Sequence, residues 1–408
     1  VLFNDSLLVE PSPAHFRSAF EQPRLSMIIS GEGGSGKTSL ACQLARWAMA
    51  EPGEERLAEH RMLPILIEHG SAALSRNGSS PLKEAIRRQA ELLLGKEESI
   101  SFELLEQLLV NKRILLIIDH LPELHDETRR LLEGAAVPGL PVAALVVTVQ
   151  STRSDVTGAA WTMAPCPIEP DSIAEFLSAY LKRSGKRDLF TDREFLEACV
   201  RLSEMAGDRT ITLLLARTYA DQMVAAKEAI RTHPLPGNIP DLLVSYLHEL
   251  NRGVAEERKL AGESVQRLMR TIAWECVKGT FHPATTRWSD VMSALPEESV
   301  PPENLAYCCD QLGLLQRVDE TGEEVRIASD PLAEYLAALR LIELLGPDEN
   351  AWRDHLLEMR NRPGAPATIR GFILALRECC LVKHKEAGIP SFVLKELARL
   401  AASVLSAV

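Results

Sequence analysis

Eight residues near the N-terminus have the types and the spacing that bind a phosphate chain. The segment GEGGSGKT, residues 31–38, fits the pattern G-x-x-x-x-G-K-[ST] and lies between an apolar run and a helical pattern. Glycines let successive backbone amides turn towards one anion, and a helix N-terminus adds partial positive charge. The Lys37 ammonium can then reach the β- and γ-phosphates, and the Thr38 hydroxyl can bind Mg²⁺. The pattern therefore predicts a nucleoside triphosphate site.

The predicted contacts to the nucleotide come from this loop and from the residue that follows it. They are Gly31, Glu32, Gly33, Gly34, Ser35, Gly36, Lys37, Thr38 and Ser39. The alternative is a glycine-rich turn before an ordinary helix. The order of strand, glycine loop and helix favours the nucleotide site.

A second magnesium ligand is predicted at the end of another buried strand. Residues 114–118 are all apolar, and Asp119 follows them directly. A carboxylate there can hold Mg²⁺ through water, although a turn-forming Asp at a strand end is the simpler alternative. Glu123, four residues further on, can orient or deprotonate an attacking water, whereas its alternative is an exposed Glu that opens a helix.

A further apolar run, residues 143–149, leads to Arg153. An arginine just past the carboxyl edge of a parallel sheet can reach a γ-phosphate, and a solvated loop arginine is the alternative. The guanine-reading sequence Asn-Lys-x-Asp is missing at Asn111 and Lys112, since Arg and Ile follow them. We therefore expect adenine, as ATP or ADP, together with Mg²⁺.

The elements that position these residues are predicted from short, continuous apolar runs. Strands buried on both faces have this pattern, which favours a parallel sheet covered by helices. The runs are residues 25–29, 63–67, 113–118 and 142–149, and helical patterns cover residues 38–50, 82–94 and 102–109. We predict an α/β P-loop nucleotide-binding domain over residues 1–165, with helices on both faces of the sheet.

The rest of the chain is predicted to be mainly helical and to form three further domains. Helical patterns cover residues 171–183, 192–205, 210–230, 241–250 and 265–277. Residues 314–318 and 324–328 predict a β-hairpin around Gly322, between helices at 303–311 and 331–345, as in a winged helix. The predicted domains are a small helical domain at 166–236, a winged-helix domain at 237–346 and the start of a further helical region at 347–408.

Composition narrows the class of protein. The net charge is −12, which argues against a nucleic-acid partner for this segment. No run approaches the ~20 apolar residues of a membrane span, so we expect no membrane partner. Eight cysteines without a C-x-x-C pair predict free thiols in a reducing cytoplasm. The missing initial Met suggests a piece of a longer polypeptide.

Together these motifs resemble the NACHT branch of the STAND NTPases, a group of signal-transducing ATPases that includes NOD-like immune receptors and bacterial multidomain regulators. The resemblance extends over about residues 27–345. The segments that carry it are residues 31–38, 117–124, 151–153, 312–315 and 329–338, the last of which contains the helix sequence EYLAA.

The resemblance implies a regulatory switch. In such proteins a nucleotide-binding domain, a helical domain and a winged-helix domain close over ADP, and exchange for ATP opens them into an oligomer. It also implies slow ATP hydrolysis, self-association on activation, and a role in signalling, innate immunity or antiviral defence. An N-terminal effector domain and a C-terminal sensor domain are expected outside this segment.

Two departures from the family pattern bear on this expectation. Pro122 occupies the second acidic position after the strand, which leaves Glu123 as the candidate base and predicts slow hydrolysis. Ser329 stands where the family often offers a His to the β-phosphate, and a Ser can donate one hydrogen bond but no charge. Asp330 and Pro331 also fit the N-cap and N1 positions of a helix.

The main alternative is an AAA-type ATPase whose winged helix reads DNA. The predicted wing is acidic, since residues 319–324 carry four carboxylates that would repel phosphates. The acidic balance of the chain and of this wing favours the switch.

Overall fold

A seven-stranded, mostly parallel sheet forms the centre of the N-terminal part of the chain. The computed structural model describes residues 1–4, 6–8, 10–31, 33–51, 53, 55–67, 81–95, 100–119, 142–149, 161–206, 211–228, 235–255, 259–295, 302–317 and 323–405. The chain forms two compact units, Val1–Cys166 and Pro167–Val408.

The sheet of the first unit has the order β2-β1-β7-β3-β6-β5-β4. Its strands are β1 (Leu2–Phe3), β2 (Ser6–Leu7), β3 (Leu25–Ser30), β4 (Leu63–Ile67), β5 (Ile114–Ile118), β6 (Ala144–Val149) and β7 (Trp161–Ala164). Strands β3 to β7 pair in parallel, whereas β1 runs antiparallel to both β2 and β7. The four predicted parallel strands are confirmed, and the antiparallel edge was not predicted.

Helices cover both faces of this sheet. They are α1 (Arg17–Glu21), α2 (Lys37–Met49), α3 (Pro81–Leu94) and α4 (Phe102–Val110). Leu44 of α2 packs with Met27 and Ile29 on one face. Leu105 of α4 packs with Ile65 and Ile118 on the other face. Apolar side chains on both faces explain the continuous hydrophobic runs, so the predicted α/β class with a helix-covered sheet is confirmed.

The second unit is mainly helical. Its helices are α5 (Ile173–Arg183), α6 (Asp192–Ala206), α7 (Leu213–Glu228), α8 (Ile239–Arg252), α9 (Gly262–Val277), α10 (Trp288–Ala294), α11 (Pro302–Ala306), α12 (Asp330–Leu345), α13 (Glu349–Arg360), α14 (Arg370–Lys383) and α15 (Ser391–Leu405). One core lies among α5, α6 and α7, and a larger one extends from α8 to α15. No helix of the described residues is long and apolar enough to cross a membrane.

A small antiparallel sheet interrupts these helices. It consists of β8 (Thr286–Arg287), β9 (Leu315–Arg317) and β10 (Glu324–Ile327), in the order β8-β10-β9. Strands β9 and β10 pair with Val325 opposite Arg317, as the hairpin prediction requires. Residues 318–322, which include most of the predicted turn at 319–323, lie outside the described residues.

The start of α12 corrects one prediction. Ser329, with φ −134° and ψ 119°, is the N-cap, and Asp330 is the first helical residue. The N-cap prediction for Asp330 is therefore wrong by one residue. Asp330 instead faces Arg326 at 3.3 Å, and both side chains are buried. Pairing with Arg326 offsets the free-energy cost of burying the Asp330 carboxylate. This stabilisation outweighs what Asp330 would contribute as an N-cap.

Candidate functional site

The glycine loop between β3 and α2 has a backbone conformation and close contacts that do not accommodate larger residues. Gly36 is the N-cap of α2 and has φ 104°, a conformation that L-residues rarely adopt. A Cβ added to Gly31 would lie 2.8 Å from Ser35 Oγ, which is closer than real Cβ contacts. Gly33 and Gly34 form the turn between them. The loop is therefore wound tightly, with its backbone close to the N-terminus of a helix.

Two polar side chains of the loop are buried. Lys37 is 5% exposed, and its Nζ donates a hydrogen bond to the Gly31 carbonyl at 2.9 Å. Ser35 Oγ is buried and has no hydrogen-bond partner among the described residues. Thr38 and Ser39, by contrast, are exposed in the first turn of α2. The loop thus holds a cation and an unsatisfied hydroxyl beside the helix N-terminus.

Asp119 follows β5 directly and joins the loop to the sheet. It is 3% exposed, and its Oδ2 accepts a hydrogen bond from Thr38 Oγ1 at 2.9 Å. Its Oδ1 accepts a second hydrogen bond, from Thr148 Oγ1 in β6, at 2.5 Å. Hydroxyl donors stabilise a buried carboxylate and fix its orientation. Thr38 and Asp119 are thereby in direct contact, although they lie 81 positions apart in the sequence.

The sheet topology explains why these side chains meet. Strand β6 lies between β3 and β5, and the carboxyl ends of these parallel strands lie at one edge of the sheet. The register pairs Ile118 with Val147 and Ile29 with Thr148. Asp119 and Thr148 therefore follow matched positions and lie on the α2 side of the sheet. Sequence reasoning missed Thr148 because a Thr within Val-Val-Thr-Val is typical of any β-strand.

The arrangement fits a nucleotide with Mg²⁺. Loop amides, the Lys37 ammonium and the unpaired Ser35 hydroxyl are donors that suit phosphate oxygens. The described residues contain no group of three or more His, Cys, Asp or Glu that could bind a metal by themselves. Mg²⁺ seldom uses such protein cages, since one carboxylate, waters and phosphate oxygens supply its ligands. A hydroxyl and a carboxylate, as in Thr38 and Asp119, match that preference.

Some predicted site residues lie elsewhere or beyond the described residues. Glu32, Glu123 and Arg153 fall outside the described residues. Ser329 lies in the second unit, and its Oγ is buried without a hydrogen-bond partner in the described part of the chain. The structure thus brings together Lys37, Thr38 and Asp119 of the predicted set.

Comparison with solved structures gives matches of low identity. A STAND protein with a tetratricopeptide repeat sensor from Pyrococcus horikoshii is 14% identical, and the match covers 97% of this chain and 52% of that chain at a TM-score of 0.37. A RuvB variant from Thermotoga maritima is 13% identical over 78% of this chain and 90% of that chain, at a TM-score of 0.34. C. elegans PCH-2 is 16% identical over 59% and 66%, at a TM-score of 0.31. TM-scores in this range carry no functional inference.

This chain thus spans about half the length of the Pyrococcus protein that it matches. No curated protein matches it. Two family models do: the NACHT domain matches residues 25–184, and NACHT C-terminal Helical domain 4 matches residues 361–405. The first match contains the glycine loop, Asp119 and Thr148, and the second contains α14 and α15. With both a NACHT domain and a NACHT C-terminal helical domain, the chain belongs to the NACHT-type P-loop NTPases of the STAND class.

Proposed function

We propose that this chain is a nucleotide-operated regulatory switch that binds ADP and ATP with Mg²⁺ and hydrolyses ATP slowly. The observation that carries the proposal is the hydrogen bond between Thr38 and Asp119, at 2.9 Å. It joins the phosphate-binding loop to the strand-end carboxylate, the two parts that a magnesium–nucleotide complex requires.

The loop would hold the phosphate chain, and Thr38 with Asp119 would hold the cation. The cation would supply charge neutralisation at the β- and γ-phosphates. Lys37 now donates to the Gly31 carbonyl, and a phosphate oxygen is the stronger acceptor because it is charged. We expect Lys37 to exchange this carbonyl for phosphate when nucleotide binds. Ser35 gains the acceptor that it lacks among the described residues.

The hydrolytic residues complete the proposal. Glu123 is the proposed base that orients or deprotonates the attacking water, and Arg153 is the proposed sensor of the γ-phosphate. Ser329 is a proposed donor to the β-phosphate in place of a histidine, and its buried, unpartnered hydroxyl supports that role. Since a Ser donates one bond and no charge, we expect a weaker ADP-held state.

The order of elements in the second unit supports the domains that the proposed switch requires. Helices α10, α11 and α12 with the three-stranded sheet β8-β10-β9 match the order of a winged helix, and we propose that residues 237–346 form this domain. The proposed small helical domain covers residues 166–236. We further propose that nucleotide exchange opens the domains, that the chain then self-associates, and that effector and sensor domains flank it in a cytoplasmic signalling or defence protein.

The test is the bound nucleotide and the size of the purified chain. Mass analysis of the released nucleotide should find ADP, and light scattering should give a monomer with ADP and a larger species with a non-hydrolysable ATP analogue. Glu123→Gln should bind ATP as the wild type does and hydrolyse it more slowly. If the chain binds nucleotide but does not change in size, it is an NTPase and the proposed switch is overturned. If it binds neither nucleotide, the whole proposal is overturned.

A further inference from the structure

The penultimate residue of strand β6 is a buried threonine beside the proposed magnesium ligand. Thr148 is 0% exposed, and its hydroxyl donates to Asp119 Oδ1 at 2.5 Å. On the same side of the strand, Ala144 and Val146 pack in the core beneath α2. Thr148 is thus the polar end of an apolar row, at the position where the row reaches the site.

Each oxygen of the Asp119 carboxylate accepts a hydrogen bond from a different threonine hydroxyl. Thr38 donates to Oδ2, and Thr148 donates to Oδ1. Rotation of an Asp carboxylate about its last bond is otherwise broad, so two donors on different oxygens restrict it strongly. With Thr148 donating to one oxygen and Thr38 to the other, the two hydroxyls together fix the orientation of the Asp119 carboxylate.

A buried threonine does not need this partner to be satisfied. Thr271 in α9 is also buried, at 3% exposure, and donates to the Arg267 carbonyl of its own helix at 3.0 Å. That bond is local and satisfies the hydroxyl within its own helix. Thr148 instead donates to the carboxylate of Asp119, which follows the neighbouring strand β5. Its hydrogen bond therefore restricts the orientation of that carboxylate.

We propose that Thr148 is a positioning residue for the nucleotide-bound cation, since its hydrogen bond to one oxygen of Asp119 holds the carboxylate in the orientation in which the other oxygen meets Thr38. The inference rests on the proposed function of the site. Outer-shell partners of metal ligands typically contribute about 10- to 100-fold in metal affinity. Loss of the Thr148 hydroxyl should therefore weaken the binding of the cation more than the binding of the nucleotide.

The test is a Mg²⁺ titration of the full 408-residue chain with a fluorescent ADP analogue. Thr148→Val keeps the shape of the side chain and removes the donor. We expect its half-saturating Mg²⁺ concentration to rise about tenfold or more, while its affinity for the analogue without Mg²⁺ stays within about twofold of wild type. Thr148→Ser restores the hydroxyl and should restore the wild-type Mg²⁺ requirement. Thr271→Val removes a buried hydroxyl far along the chain and should leave the requirement unchanged.

An unchanged Mg²⁺ requirement in folded Thr148→Val, or an equal rise in Thr271→Val, would overturn the positioning role. If valine prevents folding, as judged by circular dichroism, Thr148→Cys takes its place because a thiol is a weak donor of similar size. The cysteine variant should also raise the requirement, and a wild-type value there would overturn the role as well. Failure of the wild-type chain to bind the analogue at any Mg²⁺ concentration would overturn the proposed function itself.

Discussion

Individual buried charges in this chain are each stabilised by a particular kind of partner. Asp119 accepts two hydroxyl hydrogen bonds, Arg326 faces Asp330, and Lys37 donates to a backbone carbonyl. Burial of a charge costs several kcal/mol unless such partners compensate it. A neutral carbonyl compensates a cation less well than an anion does. Lys37 is therefore a buried cation for which a phosphate is a better partner than the Gly31 carbonyl.

The first prediction concerns this lysine. Lys37→Ala should weaken ADP and ATP binding by about 100-fold or more, because charge-assisted hydrogen bonds contribute about 1.5–3 kcal/mol each and several are lost. Isothermal titration calorimetry measures the change. Lys112→Ala is the matched control, since Lys112 Nζ also donates to a backbone carbonyl, that of Phe20, at 2.6 Å. Unchanged affinity in Lys37→Ala would refute the site.

The second prediction concerns His355 in α13. Its ring lies 5.5 Å from Trp274 and 5.2 Å from Phe281, and Nε2 is buried without a partner among the described residues. Burial lowers the pKa of His355, and Glu358 offsets this in part. As pH falls through the ordinary histidine value of ~6.5, the unfolded chain takes up a proton that the native chain refuses. Stability therefore falls with pH until the lowered native pKa is passed.

Urea unfolding at pH 7.5 and pH 5.5 tests this pH dependence. His355→Phe removes the titrating group and keeps an aromatic ring, so its loss of unfolding free energy between the two pH values should be smaller than that of the wild type. The difference between the two proteins isolates His355 from the carboxylates, which titrate in both. An equal loss of unfolding free energy in wild type and variant would show that His355 does not contribute to the pH dependence.

Secondary-structure elements were predictable where their pattern was long. Strands β3 to β6 have five or six residues and continuous apolar character, so their positions agree with prediction to within two residues. Strands β1, β2 and β8 have two residues each, and a pair of residues has no periodicity to detect. These short strands depend on partners distant in the sequence, such as β7 for β1. The antiparallel edge therefore could not be predicted.

The site was predictable only in part, for a related reason. Lys37, Thr38 and Asp119 follow a motif or end an apolar strand, and their proximity follows from parallel topology. Thr148 gave no signal, because its role depends on the register that places it beside Asp119. Ser329 and Asp330 are both good N-caps, and Pro331 is compatible with either start of α12. The extended backbone of Ser329 and the buried contact of Asp330 with Arg326 distinguish them, and neither can be read from the sequence.

The contact between α12 and α14 gives a prediction about helix packing. A Cβ added at Gly371 would lie 2.5 Å from the carboxyl carbon of Glu334, which is 9% exposed and already makes a polar interaction. Tyr335 also donates to Glu378 across the same pair of helices. Gly371→Ala should therefore destabilise by about 1–3 kcal/mol, despite the better helix propensity of alanine.

Urea denaturation of the variant measures this effect. Gly279→Ala is the matched control, since a Cβ there meets nothing within 4 Å, and we expect it to change stability by less than about 0.5 kcal/mol. A Gly371→Ala variant as stable as the wild type would mean that Glu334 can move aside at no cost. The same result would show that the two helices are not closely fitted at this point.

The whole chain combines two units of different construction. Val1–Cys166 holds the sheet and the proposed nucleotide site, and Pro167–Val408 holds the helices and the small antiparallel sheet. Each has its own hydrophobic cores. Units with separate cores can unfold in separate transitions. A ligand of the first unit reaches the second only if the two are thermodynamically coupled, which is what the proposed switch requires.

Calorimetric scans with ADP and Mg²⁺ test that coupling. A ligand at 100 times its dissociation constant stabilises the state that binds it by about 2.7 kcal/mol, which corresponds to about 5–10 °C for a unit of this size. In the proposed switch ADP is bound by closed domains, so we expect ADP to raise the transitions of both units. In Lys37→Ala neither transition should move. A rise confined to one transition would place the nucleotide in a single unit and overturn the coupling, because a ligand shifts only the equilibria in which its affinity differs.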